Sequence, residues 1–222
     1  LTWAMNAVVP TLVASRYRDS QIAAFSTGNV YGLVPVSSGG SVETDPLNPT
    51  GEYAMSCLGR ERVFEHFSRT HGTPLSIIRL NYACELRYGV LVDLATRIKN
   101  YQSIDVTMGS FNVIWQGDAN AHALASLIDC DSPPFVVNVT GSETLSVRKV
   151  GEKLAARMNL PVTFVGEESP TALLNNASVS HTRYGQPAVT TAQLLDNIAE
   201  WVNQNGASLG KPTGFEVRDG KF

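Results

Sequence analysis

Short apolar runs alternate with longer stretches of helical spacing along these 222 residues. Gln21 to Phe25, Pro74 to Leu80 and Phe135 to Val139 are compact and apolar, bounded by polar or turn-forming residues, and read as buried strands. Between them lie helical patterns. Residues 2 to 16 carry apolar groups at helical spacing, interrupted by Pro10. Glu52 to Thr70 is the strongest, with Leu58, Val63, Phe64 and Phe67 on one face and His71-Gly72 as its stop. Val90 to Asn100, Asp118 to Asp129, Ser146 to Asn159 and Thr191 to Asn205 follow, the last with Leu194, Leu195, Ile198 and Trp201-Val202 turned inward. Ser103 to Met108 and Pro161 to Val165 read as short strands of a smaller lobe. Leu33 to Gly51 is Gly-, Ser-, Pro- and Thr-rich, a long loop of the kind that often serves function, and the tail from Gly206 reads as loose. Strands alternating with helices predict an α/β domain with a parallel sheet, whose ligand crevice lies at the carboxyl ends of the strands.

Composition narrows the partners. A hydrophobic content of 43% and a charged content of 17% support a substantial core. The net charge of −3, with no long block of like charge, gives no electrostatic reason to expect nucleic acid or an anionic membrane. Cys57, Cys84 and Cys130 are scattered and odd in number, so no zinc site or disulfide framework is expected, and free thiols suit a reducing cytoplasm. No apolar run reaches the length of a membrane span. The chain opens at Leu1 inside an apolar segment, which reads as the interior of a larger protein with further elements before it.

Chemistry gathers around two strand ends. "FSTGNVYG" (25–32) follows the first strand and "RLNYA" (79–83) ends the second. With Glu43 and Pro49 in the loop, Tyr53 opening a helix and Glu61 eight residues on, these segments resemble the extended short-chain dehydrogenase/reductases, the NAD-dependent epimerase/dehydratase family. "IWQGDANAHAL" (114–124), "VNVTGSETLSVRKV" (137–150) and "SHTRYGQP" (180–187) continue the resemblance over nearly the whole chain.

The resemblance implies part of a Rossmann-type parallel sheet with flanking helices. The catalytic half would span about residues 1–100 and 112–140, and a substrate lobe about 101–111 and 141–222. It implies NAD or NADP as cofactor and a nucleotide sugar or similar polyol-like molecule as substrate. Tyr53 becomes the acid/base and Thr27 the hydroxyl that hydrogen-bonds the same substrate oxygen. Ser26, Tyr53, Cys57, Asn81 and Tyr82 fall at cofactor-binding positions. A homodimer through the 52–70 helix is a further implication.

Two departures qualify it. The family's lysine, four residues after the tyrosine, is here Cys57, and no Gly-rich pyrophosphate turn occurs in the sequence. A phenol with an ordinary pKa near 10 needs a neighbouring cation to act as base at neutral pH, and a thiol supplies none. Arg60, about two turns on, is a partial substitute at most. Gly28-Asn29 stand where sugar 4,6-dehydratases of the family carry Asp-Glu, which argues for oxidoreduction or epimerisation over dehydration. A non-catalytic binding or regulatory protein on the same fold is the alternative. Read singly, Cys57 is a buried small residue, Glu61 a solvated charge or a site residue, His122 a packing residue and Asp118 a helix cap.

Overall fold

The computed structural model describes residues 1–221. Its centre is a parallel three-stranded sheet of β1 (Ile22–Thr27), β2 (Leu75–Leu80) and β3 (Phe135–Val139), in the order β1-β2-β3. Phe25 pairs with Ile78, and Arg79 with Asn138, so the three strands end side by side. The α/β class and parallel sheet expected from the sequence are what the chain forms.

Alternation along β2 sorts its side chains between two layers. Leu75 and Ile77 pack with Ala14, Ala24 and Phe64 under helices α1 (Val9–Arg16) and α2 (Gly51–His71). Ile78 faces the other way, with Val137, Val139, Ala119 and Ala123. The period of two along a strand makes this division obligatory once both faces are covered.

The largest core lies beside the sheet. Helices α3 (Val90–Lys99), α5 (Val147–Met158) and α7 (Thr191–Asn203) pack there around Leu94, Ile98, Leu154, Leu194, Ile198 and Phe111. Helix α7 starts with a capping box, in which Thr190 and Gln193 satisfy each other's backbone N–H groups. Of the expected strand over residues 103–108, only Ile104–Asp105 forms, paired in parallel with Phe164–Val165.

Other expectations are corrected. Pro10 does not interrupt the first helical segment. A wide π turn over Ala4–Val8 runs directly into α1, and the helical run continues through Pro10 in the first turn of α1. Asp118 lies inside the first turn of α4 (Gln116–Ala125) and accepts the Val189 N–H at 2.9 Å instead of capping the helix. The segment around His181 forms an unpredicted short helix, α6 (Ser178–Tyr184). The long loop is tied down: Val34–Pro35 pairs antiparallel with Thr171–Ala172, and Ser41 bridges to Asn175. The tail is pinned as well, by contacts described below. Among the described residues no helix is long and apolar enough to cross a membrane.

Candidate active site

Thr27 is the last residue of β1, and its extended backbone hands over to a tight helical turn at Gly28–Val30. Its hydroxyl accepts the Asn29 N–H at 3.2 Å, a local cap that fixes the side chain at the strand's carboxyl end. Ser26, one residue earlier, points to the opposite side of the pleat and donates to Glu61 of α2. The hydroxyl pair of "FST" is thus divided between a cap at the sheet edge and a buried ion pair.

That ion pair joins three elements. Glu61 is 3% exposed, and its carboxylate receives Arg79 Nη2 at 2.8 Å and Nε at 3.1 Å. Arg79 also donates to the Tyr31 hydroxyl at 2.7 Å, with its guanidinium 4.9 Å from that ring's centre. The Tyr31 hydroxyl donates to Asn138 Oδ1 at 2.9 Å. Glu43, in the long loop, accepts the Asn138 N–H at 2.8 Å. Burial alone would lower the Arg79 pKa, but its hydrogen bonds and charge interaction with Glu61 override that and hold the guanidinium charged. Of the two readings open for Glu61, the solvated one is excluded.

Tyr53 sits in the first turn of α2 and is 41% exposed. Thr27 and Cys57 are the side chains set beside its hydroxyl, and both act on its ionisation. Burial of the phenol group pushes its pKa up to about 12; Cys57 adds to the rise, while Thr27 and Arg60 oppose it. Cys57 itself is 0% exposed, packed with Val30 and Tyr31 behind the tyrosine, and burial raises its thiol pKa. Arg60 extends a guanidinium nitrogen to 3.9 Å from the Cys57 sulfur, and it also donates to the Phe25 carbonyl and the Asn6 side chain.

Asn6 went unnoticed in the sequence. It is buried in the π turn and donates to Ser56 Oγ at 2.8 Å and to the Cys57 sulfur at 3.6 Å. The available signal was a lone polar residue in an apolar segment just before a proline. Cys57, Arg60 and Asn6 form one connected polar cluster.

A cleft of about 400 Å³ opens where the strands end. Ser26, Thr27, Tyr53, Asn81 and Tyr82 all line it; Cys57, the remaining predicted residue, lies behind Tyr53 and does not. Asn81 is buried and spends one amide N–H on the Leu173 carbonyl at 3.3 Å. Tyr82 takes a left-handed backbone with φ of 42°, and burial raises its phenol pKa strongly. Tyr88, Gly89 and Thr213 complete walls that no periodicity could announce.

Two neighbouring hydroxyls beside strand ends, Thr27 and Tyr53, can both donate to and accept from a ligand oxygen. Cys57 behind them offers a buried thiol and no cation. Among the described residues, no group of three or more His, Cys, Asp or Glu side chains is placed to hold a metal ion.

No family model and no curated protein sequence matches this chain. Solved structures do. A dTDP-glucose 4,6-dehydratase from Bacillus anthracis str. Ames, in complex with NAD, has a TM-score of 0.77 at 17% identity, over 91% of this chain and 69% of that one. UDP-glucuronic acid 4-epimerase from Bacillus cereus, with UDP-glucuronic acid and NAD, has a TM-score of 0.76 at 17% identity, over 90% and 68%. RMD from Pseudomonas aeruginosa, complexed with NADPH, has a TM-score of 0.74 at 18% identity, over 91% and 74%. At these identities the likeness establishes a shared fold.

Proposed function

We propose that this chain is the catalytic half of an NAD(P)-dependent oxidoreductase or epimerase that acts on a nucleotide sugar or a similar polyol-like molecule. The observation that carries the reading is that Thr27 and Tyr53 line one cleft at the strand ends. Its neighbours in fold, solved with NAD or NADPH and in one case with UDP-glucuronic acid, support it. A bound nicotinamide supplies or receives the hydride. Ser26, Thr27, Tyr53, Asn81 and Tyr82 line the space its reactive end would enter. Tyr53 holds a proton at the substrate oxygen and Thr27 fixes the angle at which that oxygen is met. With a pKa of about 12 the phenol is a proton donor at neutral pH, which suits reduction of a carbonyl better than abstraction from an alcohol.

A second reading has its own observation. Cys57 occupies the position from which a cation would activate the phenol, and it is buried and uncharged. On that reading the protein binds a ligand on this fold without turning it over.

Titration with NADH, followed by fluorescence, tests the first reading; no binding of either nicotinamide cofactor at millimolar concentration would sink it. Loss of a measured activity in Tyr53→Phe supports catalysis. Activity that appears only in Cys57→Lys supports the binding-protein alternative. The proposal also includes a homodimer through the 52–70 helix, where Met55 is 51% exposed.

A further inference from the structure

The residues after α7 run back across the molecule and are fastened at several points. The Leu209 N–H donates to the Arg87 carbonyl at 3.1 Å. Thr213 donates twice to one carboxylate oxygen of Asp93, from its N–H at 2.7 Å and from its hydroxyl at 2.6 Å. Phe215 is buried, its ring centre 6.4 Å from that of Phe111. Glu216 pairs with Arg97 at 2.8 Å. Arg218 reaches the Thr171 carbonyl at 2.8 Å and its hydroxyl at 2.6 Å. Gly220 then lies against Thr50 and Gly51, so close that a Cβ on Gly51 would come within 2.1 Å of the Gly220 carbonyl oxygen. This segment therefore links α3, the large lobe core and the start of α2, two residues before Tyr53.

Among the described residues of this strap, Thr213 is the one that lines the cleft with Tyr53 and Thr27. Its hydroxyl hydrogen is committed to Asp93 and one lone pair accepts the Phe215 N–H at 3.4 Å, so the oxygen has one lone pair left and can only accept from a ligand. An acceptor backed by a carboxylate favours a ligand hydroxyl, which brings a donor, over a carbonyl, carboxylate or phosphate oxygen, which brings a lone pair.

We propose that residues 213–220 are a fixed wall of the binding site, and that Thr213, polarised by Asp93, is a specificity-determining residue for a sugar hydroxyl. The inference rests on the nucleotide-sugar reading above. Asp93 acts through Thr213 and is a positioning residue.

The test uses the full chain and UDP-glucose as probe, with binding followed by calorimetry and strap order by amide hydrogen exchange. Thr213→Val keeps the shape and removes the acceptor, and is expected to weaken UDP-glucose binding about five- to tenfold, the effect of one hydrogen bond. Asp93→Ala should speed exchange over residues 213–220 and weaken binding similarly, while Asp93→Asn, which retains an acceptor oxygen, restores both. A Thr213→Val protein with wild-type affinity overturns the inference and leaves the proposed function standing. An Asp93→Ala protein whose tail stays as protected as wild type also overturns it. If the wild-type chain with a protected strap binds no UDP-glucose, the nucleotide-sugar reading fails, and the role of Thr213 fails with it.

Discussion

Cys57 lies one helical turn beyond Tyr53 on α2, buried behind it, and raises the pKa of its phenol. The two residues thus meet as the i, i+4 spacing of a helix requires. The cation beside the pair is Arg60, whose guanidinium also donates to the Phe25 carbonyl and the Asn6 side chain.

The first expectation concerns that charge. Tyr53 should remain protonated until about pH 12, read as phenolate absorbance in wild type minus Tyr53→Phe. Because the pKa is raised from its ordinary 10.0, the associated stability is present below pH 10.0 and fades as pH climbs toward 12. Cys57→Lys should bring the transition down by about one unit or more, as a nearby cation does to a phenol. An unchanged transition would show that the new ammonium does not reach the hydroxyl.

The Glu61–Arg79 pair gives a stability expectation. Removing the carboxylate in Glu61→Ala strands a buried guanidinium and should cost about 3–5 kcal/mol in urea unfolding at neutral pH. The double variant Glu61→Leu, Arg79→Met should cost clearly less, because neither charge is left alone. Equal losses in the two proteins would mean that Ser26, Tyr31 and Asn138 depend on the pair as a scaffold.

His122 provides a pH expectation away from the cleft. It is buried, its ring centre 6.1 Å from that of His181 and 5.7 Å from that of Tyr184, and among the described residues its Nδ1 has no hydrogen-bond partner. Burial lowers its pKa from 6.5, the charge of His181 lowers it further, and Asp118 and a backbone bond at Gly185 oppose. The neutral form is the one the fold accepts, so stability should fall as pH drops from 6.5 toward the lowered value, by at most about 1.4 kcal/mol per pH unit for one proton. His122→Leu should flatten thermal stability over that range; a slope identical to wild type would place the acid sensitivity elsewhere.

The proposed dimer is checked by sedimentation. Met55→Glu, on the exposed face of α2, should weaken self-association about tenfold or more, since an unpaired charge in an apolar interface is costly to desolvate. A wild-type chain that sediments as a monomer at high concentration rules the dimer out.

Much of the fold was legible because it depends on local periodicity. The runs at Ile22, Leu75 and Phe135 became the three strands, and α2 begins and ends within a residue of its expected limits. The five residues gathered around the cleft were legible from ordered motifs at strand ends. The strap was not, because its partners lie far away: Thr213 meets Asp93 across 120 residues, and Gly- and Pro-containing sequence looks loose unless its partners are known. Glu61 was ambiguous for a related reason. A carboxylate on a helix carries no local mark of burial, and Arg79, which decides the matter, belongs to a different element. Asn6 was hidden by the assumption that Pro10 breaks the helix, when the wide turn before it is what turns Asn6 inward.

The contact between Gly51 and Gly220 extends beyond packing. Both residues have positive φ, 83° and 74°, and neither has room for a Cβ against the other. Positions 169 residues apart in the numbering are thereby made into a single heritable unit. In homologous chains that keep the strap, the two glycines should persist together or be lost together. A lineage in which one is replaced should also show relaxed constraint on Thr213, so comparative genetics can trace this wall of the cleft without a ligand in hand.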